Sequence, residues 1–215
     1  ALGLTKYAKE VGADGALVIT PYYNKPTAEG QYRHYRMLAD KADLPIMMYN
    51  VPGRTGTKIA PETVARLRKD VPNIVSIKEA CGSVDQVSAI LELCDIEVLS
   101  GDDMLTLPMM SVGAKGVVSV LANLMPAEIK GLCAAAAAGL PEGAEAALSG
   151  VAAGAGDVHR DQSHRRQDRA PACGLRQRRR AHAVVRNDGR RPEAAQGDPD
   201  GKRRLAGIAR THRRG

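Results

Sequence analysis

The strongest constraint on the fold is a series of five short apolar stretches in the first two thirds of the chain. They begin near residues 16, 46, 74, 97 and 116. Short, fully apolar runs are typical of strands that are covered on both faces, as in a parallel sheet. Segments with apolar residues at helical spacing lie between them. The sequence therefore predicts an α/β fold of about five parallel βα units.

Local signals mark the starts of several of the predicted helices. Thr27 is a predicted N-cap, Pro61 occupies a first helical position, and Ser83 with Gln86 matches a capping box. The first predicted helix has one apolar face, formed by Leu4, Tyr7, Ala8 and Val11. Five βα units fit either an open doubly wound sheet or part of a (β/α)8 barrel. The glycine-rich Rossmann and P-loop motifs are missing from the sequence, which argues against nucleotide binding of those kinds.

The third apolar stretch ends in a lysine. Ile74, Val75 and Ile77 form a β-branched run that leads directly to Lys78. A lysine at the end of a core strand lies in a partly dry cavity, where desolvation lowers its pKa. A neutral amine can attack a ketone and form a Schiff base. The alternative is a lysine that points into solvent, which is the commoner situation, so the neighbours of Lys78 must decide.

Chemically useful side chains follow the predicted strands where each one ends. In parallel α/β folds the working residues lie at the carboxyl ends of the strands, which share one edge of the sheet. The residues at these ends include Tyr23, Tyr49, Arg54, Lys78, Gly101 and Val118. An arginine fork pairs with a carboxylate, and a tyrosine hydroxyl relays protons. The set predicts a carbonyl acid substrate that is condensed through an imine.

Four motifs at these strand ends resemble those of a known family. They are ITPYYNKP from residue 19, YNVPGRTG from residue 49, IKEA from residue 77 and LSGDD from residue 99. In order and spacing they resemble the dihydrodipicolinate synthase family, one of the pyruvate-dependent class I aldolases of the N-acetylneuraminate lyase superfamily. The resemblance covers residues 1–148. It implies a partial (β/α)8 TIM barrel with the activity of a Schiff-base lyase.

The resemblance also implies a role for each matched residue. Lys78 would form an imine with pyruvate, and Tyr49 would relay protons during imine formation. Tyr23 would complete the relay by reaching across a dimer interface into a neighbouring subunit. Arg54 would bind the carboxylate of the second substrate, L-aspartate-4-semialdehyde. The main chains of Gly101 and Val118 would line the pyruvate site, and Tyr22 would lie near a site for feedback by lysine.

The implied reaction gives 4-hydroxy-tetrahydrodipicolinate, for the diaminopimelate and lysine pathway, and needs no cofactor or metal beyond the imine on Lys78. The family implies a homodimer or homotetramer. Another pyruvate aldolase, acting on N-acetylneuraminate or 2-keto-3-deoxygluconate, is the close alternative. Arg54 favours the synthase because it offers a cation for a short acidic aldehyde. A non-catalytic fragment is an alternative of a different class.

Several of these residues also have plain structural interpretations. Tyr22 and Tyr23 form a rim pair that could simply pack a loop. The adjacent carboxylates of Asp102 and Asp103 are better explained as caps of the following helix than as an acid/base or metal pair. His34 is predicted to face solvent on an outer helix.

Two departures from the family pattern limit the expected activity. The first three βα units, with a Gly-Thr-Thr-Gly-Glu segment, are expected from the family but do not occur in this sequence. Residues 149–215 also leave the pattern, forming a tail with sixteen arginines among residues 151–215. Our hypothesis is that a frameshift near residue 150 produced this tail, which would be disordered or irregular.

Charge separates the two parts of the chain. Residues 1–150 hold 14 Lys and Arg against 17 Asp and Glu, a net charge of −3. Residues 151–215 hold 17 against 7, a net charge of +10. A basic run such as Arg176–Arg180 could bind nucleic acid non-specifically, but the tail has no aromatic residue for base stacking, so nucleic acid is not the expected partner.

Cysteine spacing and hydropathy bear on location. The four cysteines form no C-x-x-C pair, so neither a disulfide framework nor a metal site is predicted. The sequence has no long apolar run and no basic-then-apolar leader. We therefore expect a cytoplasmic protein without membrane partners.

Overall fold

The computed structural model describes residues 1–140, 142–144 and 148–152, together with the backbone of residues 184–186. Five parallel strands lie close to their predicted positions. They are β1 (Ala16–Ile19), β2 (Ile46–Asn50), β3 (Ile74–Glu79), β4 (Glu97–Ser100) and β5 (Gly116–Val118). The apolar runs were therefore sufficient to locate every strand of the parallel sheet.

Helices connect the strands as the sequence predicts, with an additional four-residue helix directly after β2. They are α1 (Leu2–Glu10), α2 (Ala28–Ala42), α3 (Pro52–Thr55), α4 (Pro61–Asp70), α5 (Val84–Leu93), α6 (Thr106–Ser111) and α7 (Pro126–Ala137), with a 3₁₀ turn at Leu121–Asn123. Thr27 accepts a hydrogen bond from the Gly30 amide at 3.3 Å, and Ser83 accepts one from the Gln86 amide at 3.2 Å. The Gln86 side chain donates to the Ile59 carbonyl instead of closing the capping box.

The strand order separates the two folds that the sequence left open. The parallel strands follow one another as β1-β2-β3-β4-β5. A doubly wound sheet reverses direction part-way, which puts helices on both faces. Right-handed crossovers that all advance in one direction put every helix on the same face, as in a (β/α)8 barrel. The order therefore confirms the prediction of a partial TIM barrel.

The sheet has an outer face under the helices and an inner face. The outer face contributes Val18, Ile46, Met48, Ile74 and Ile77 to the main core. A separate, smaller cluster of Met47, Leu99 and Val118 lies on the inner face. The register between β2 and β3 shifts by one residue, because Ile46 pairs with Ile74 while Met47 pairs with Ser76. This bulge at Val75 turns Ser76 and Lys78 towards the inner face.

Side-chain exposure shows one predicted apolar face with little cover and one sequence-based expectation, for His34, that is wrong. The predicted apolar face of α1 is largely exposed: the exposed fractions are 77% for Leu4, 55% for Tyr7 and 61% for Val11. Helical spacing identifies an apolar face but says nothing of what covers it, and α1 buries Thr5 instead. His34 is half-buried, because its ring packs edge-on against Tyr35 at a centroid distance of 5.5 Å.

The region after residue 148 is described only in part. Val151 is fully buried in the cluster that contains Ile129 and Leu132. The backbone of Val184–Arg186 forms a sixth strand, β6, antiparallel to β5, which departs from the predicted disordered or irregular tail. The remainder of that prediction, including the basic run at residues 176–180, lies outside the described residues. Within the described residues, no helix has the length and apolarity needed to span a bilayer.

Candidate active site

Lys78 lies at the carboxyl end of β3, on the inner face, and only 6% of its surface is exposed. Its register partner on β2 is Tyr49. The Lys78 Nζ lies 4.2 Å from the centroid of the Tyr49 ring. Burial lowers the pKa of the Lys78 amine, since desolvation disfavours the ammonium form. The prediction of a buried strand-end lysine, and not a solvent-facing one, is confirmed.

Two charged groups of opposite sign modify the effect of burial on Lys78. Burial has the largest influence on its pKa and lowers it. The Asp103 carboxylate raises this pKa, and the Arg54 guanidinium lowers it. One oxygen of Asp103, Oδ1, is buried and has no hydrogen-bond partner among the described residues. A carboxylate in the loop after β4 and a cation on α3 thus act on the same amine.

Gly101 provides the space that the Lys78 side chain occupies. A Cβ at this position would lie 2.5 Å from the Ala80 Cβ and 2.9 Å from the Lys78 Cε. The Gly101 amide also donates to the Glu79 carbonyl at 2.7 Å, which holds the loop after β4 against the end of β3. The residue is therefore glycine because the lysine passes directly over it. This contact supports the prediction that Gly101 belongs to the site.

The paired aspartates behave differently from the prediction. The Asp102 Oδ1 accepts from the Met104 amide at 3.0 Å, capping the turn that precedes α6. The Asp103 Oδ2 instead accepts from the amides of Val120 and Leu121, both at 3.2 Å. Asp103 therefore caps the 3₁₀ turn at Leu121–Asn123 and not α6. Asp103 joins two loops at the carboxyl edge of the sheet.

Tyr49 and Arg54 lie on the same connection after β2. Tyr49 is half-buried; burial raises the pKa of its hydroxyl, and the Arg54 charge opposes this increase. Arg54 is exposed on the four-residue helix α3. An exposed cation can receive a carboxylate without first breaking a buried ion pair. The structure thus brings Lys78, Tyr49, Arg54 and Gly101 together.

Two other predicted site residues are not brought to Lys78 through their side chains. Tyr23 is 94% exposed in the loop between β1 and α2, and its neighbour Tyr22 is exposed as well. Val118 is buried in the inner cluster with Met47 and Leu99. The roles implied for Tyr23 and Val118 remain predictions.

A buried polar pair behind Lys78 was not predicted. Asn50 and Glu79 are fully buried and follow Tyr49 and Lys78 directly, so alternation places them on the outer face. The Asn50 Nδ2 donates to both carboxylate oxygens of Glu79 at 2.9 Å. The Cys81 amide donates to Glu79 Oε1 at 3.0 Å, and the Ile59 amide donates to Asn50 Oδ1 at 3.1 Å. The clue in the sequence was an asparagine and a glutamate, each one residue past a proposed site residue.

The cysteine nearest to Lys78 has the properties of a structural residue. Burial raises the pKa of the Cys81 thiol to about 11, and the neighbouring Glu79 acts in the same direction. A thiol with a raised pKa is a poor nucleophile at neutral pH. No cluster of three or more His, Cys, Asp and Glu suited to a metal ion occurs in the described part of the chain.

Comparisons with known proteins agree with this arrangement. Residues 1–151 match the model of the dihydrodipicolinate synthetase family. The 4-hydroxy-tetrahydrodipicolinate synthase of Oleidesulfovibrio alaskensis is 56% identical over 141 residues, which are 65% of this chain and 48% of the relative. The chain thus spans about half the length of the curated relatives that it matches.

Solved structures show the same similarity. The dihydrodipicolinate synthase of Aquifex aeolicus aligns with a TM-score of 0.68 and 48% identity, over 69% of this chain and 51% of that one. The chloride-inhibited enzyme of Acinetobacter baumannii, solved in complex with pyruvate, aligns with a TM-score of 0.66 and 44% identity, again over 69% and 51%.

Proposed function

Because the chain belongs to the dihydrodipicolinate synthetase family, we propose that Lys78 forms a Schiff base with pyruvate for condensation with L-aspartate-4-semialdehyde. The observation that carries the proposal is the buried amine of Lys78, whose pKa is lowered by desolvation and which lies over the Tyr49 ring. A relative of similar structure has been solved with pyruvate bound. The product would be 4-hydroxy-tetrahydrodipicolinate.

The proposed first stage uses general carbonyl chemistry. The neutral Lys78 amine attacks the ketone carbon of pyruvate, and the ketone oxygen takes up a proton to give a carbinolamine. Loss of water gives the imine, whose protonated form makes the adjacent methyl group acidic. Deprotonation of the methyl group yields an enamine. The Tyr49 hydroxyl, half-buried beside the amine, would carry protons between these steps.

The second stage joins the two substrates. The enamine carbon attacks the aldehyde carbon, and the aldehyde oxygen is protonated, which returns the imine on Lys78. The amino group of the semialdehyde unit then attacks the imine carbon, and the Lys78 amine leaves as the ring of the product closes. Arg54 would hold the carboxylate of the aldehyde, because it is an exposed cation close enough to influence both Lys78 and Tyr49. No separate cofactor takes part in this scheme. Assembly into a homo-oligomer, with Tyr23 of one subunit reaching the site of another, remains a prediction of the family resemblance.

Borohydride trapping with pyruvate tests the proposal directly. The full chain is incubated with pyruvate and reduced, and its peptides are analysed by mass spectrometry. We expect one pyruvate-derived adduct, on Lys78, that is lost in Lys78→Ala. The matched control is Lys115→Ala, which removes an exposed lysine beside β5 and should keep the adduct. The absence of a Lys78 adduct in the folded wild-type chain would refute the proposal.

Substrate choice is tested by a second incubation. The chain preloaded with pyruvate is offered L-aspartate-4-semialdehyde or, separately, an aldose that sugar-acid aldolases condense with pyruvate. Consumption of the semialdehyde that falls in Arg54→Gln supports the synthase. Consumption of the sugar alone would assign the chain to the alternative group of pyruvate aldolases.

A further inference from the structure

The residues behind the proposed nucleophile form a closed set of hydrogen bonds. Asn50 and Glu79 are both fully buried, and Asn50 donates to the two oxygens of Glu79. Asn50 in turn accepts from the Ile59 amide, and Glu79 accepts from the Cys81 amide. A buried carboxylate with donors on all sides is costly to disturb, because removal of one partner leaves an unpaired polar group.

The position of this pair relates it to the chemistry. Tyr49 pairs in register with Lys78, and Asn50 pairs with Glu79, so the two pairs are adjacent rungs of the same ladder. The Tyr49–Lys78 pair, which we call the inner rung, carries the reactive groups on the inner face. The Asn50–Glu79 pair, which we call the polar lock, lies on the outer face. The Ala80 amide donates to the Asn50 carbonyl at 2.9 Å, which extends the ladder past the lock. Any shift of β2 against β3 would change both rungs together.

We propose that Asn50 and Glu79 are positioning residues that set the distance between the Lys78 amine and Tyr49 from the opposite face of the sheet. β2 ends at Asn50 and β3 ends at Glu79, so few ladder hydrogen bonds hold the two strands together beyond this point. The polar lock adds side-chain hydrogen bonds between them. Neither side chain touches the inner face. The inference rests on the proposed Schiff-base function, and it assigns a role in that reaction to a buried carboxylate that the chemistry itself does not use.

Reciprocal substitution of the two side chains provides the test. Glu79→Gln replaces one carboxylate oxygen by an amide NH₂. The remaining oxygen can still accept from the Cys81 amide, so the NH₂ faces the Asn50 Nδ2 and one donor meets another donor. Asn50→Asp places two carboxylates face to face. The double variant Asn50→Asp/Glu79→Gln restores one amide and one carboxylate with their direction exchanged, and the amides of Ile59 and Cys81 keep an acceptor. Every side chain in the set retains its size.

The first readout is the rate of borohydride-trappable imine formation per folded protein. We expect each single variant to lower the maximal rate by roughly 10- to 100-fold, as for a misplaced reacting group. The pyruvate concentration at half-maximal rate should change little. The double variant should recover to within about threefold of wild type, because the coupling between contacting residues is restored.

The second readout does not depend on pyruvate. The ε-methylene protons of Lys78 lie near the Tyr49 ring, so their NMR signals report the geometry of the inner rung through the ring-current shift. Both single variants should lose this shift, and the double variant should regain it. If wild type shows the shift but no adduct, the proposed function fails while the positioning role stands.

A control separates positioning from general stability. Gln31 is also buried and donates to Thr57 and to the Lys58 carbonyl, but it lies on α2. Gln31→Met should lower the melting temperature without slowing imine formation below that melting temperature. The inference is overturned if a folded double variant stays as slow as the single variants, if the single variants keep the wild-type rate and ring-current shift, or if Gln31→Met slows the reaction equally.

Discussion

The two faces of β2 and β3 treat buried polar groups in opposite ways. On the outer face, Asn50 and Glu79 have partners for each of their side-chain polar atoms. On the inner face, the Lys78 amine lies over the ring of Tyr49, and the Ser76 hydroxyl has no hydrogen-bond partner among the described residues. These residues are neighbours in sequence and similar in burial. The difference is that the outer face provides hydrogen-bond partners for its polar side chains and the described part of the inner face does not provide one for Ser76.

This difference explains how the carboxyl ends of β2 and β3 can be both rigid and reactive. A satisfied network stabilises one geometry, because its groups lose hydrogen bonds when they move. Desolvation lowers the pKa of the Lys78 amine, which favours the neutral form that has a lone pair for attack. The hydrogen bonds on the outer face stabilise the geometry, and the amine on the inner face reacts.

Gly101→Ala should damage the inner face most. The added methyl group would meet Ala80 and Lys78 at distances below 3 Å and displace the amine. We expect imine trapping to slow by about 100-fold, which is typical of a displacement of about 1 Å. Gly131→Ala is the matched control, since a Cβ there meets nothing within 4 Å. A trapping rate in Gly101→Ala equal to that of the control would contradict the close approach.

Two serines lie on opposite faces of the sheet, Ser76 on the inner face and Ser100, one residue after Leu99, on the outer face. Their replacement by alanine compares the two faces in free energy of unfolding. Ser100 donates to the Asp102 carbonyl at 2.7 Å and accepts from the Asp102 amide at 3.1 Å. Ser100→Ala should therefore lower the free energy of unfolding by about 1–3 kcal/mol. Ser76→Ala removes a hydroxyl that has no partner, so it should be neutral or stabilising. Denaturant unfolding of both variants measures the change in free energy of unfolding. An equal decrease in both variants would contradict the proposed difference between the two faces.

Charged groups near Lys78 set the pH dependence of imine formation. The groups that face Lys78 are the Tyr49 ring, Asp103 and Arg54. Attack requires the neutral amine, so the imine-formation rate rises as the pH passes through the pKa of Lys78. Asp103→Asn removes a charge that raises this pKa, so the profile should move to lower pH. Arg54→Gln removes a charge that lowers it, so the profile should move to higher pH.

Trapping rates measured over a pH series check both directions. Asp103→Asn keeps an oxygen to accept from the amides of Val120 and Leu121, so the loop contact survives. Asp85→Asn, an exposed change on α5, serves as the control and should leave the profile in place. Shifts of Asp103→Asn and Arg54→Gln in the same direction would show that the changes act through structure and not through charge.

The fold was largely predictable because its signals are local. Apolar runs located β1 to β5, and the caps at Thr27 and Ser83 located two helix starts. The exposure of α1 was not predictable, because helical spacing marks an apolar face whether or not a partner covers it. The choice between an open sheet and a barrel needed the strand order, which composition does not contain.

The sequence predicted the site residues that directly follow strands, but not the directions in which side chains point. Lys78, Tyr49 and Gly101 follow strands and meet as expected. The partnership of Asn50 with Glu79 depends on which way each side chain points. Strict alternation back to Ile74 would put Lys78 on the helix side, because the bulge at Val75 is not visible in the residue types. Asp103 was misassigned because its partners are 17 and 18 residues away.

The bulge at Val75 has a consequence for how this strand can evolve. A regular strand with the same number of residues between Ile74 and Lys78 would exchange the sides on which Lys78 and Glu79 lie. The amine would then be buried under the helices. Loss of the one extra residue would instead remove the bulge and leave Lys78 on the inner face. We therefore expect related sequences either to keep both the extra residue and the bulge or to lack both, because only a change in one without the other would turn the lysine away from the site.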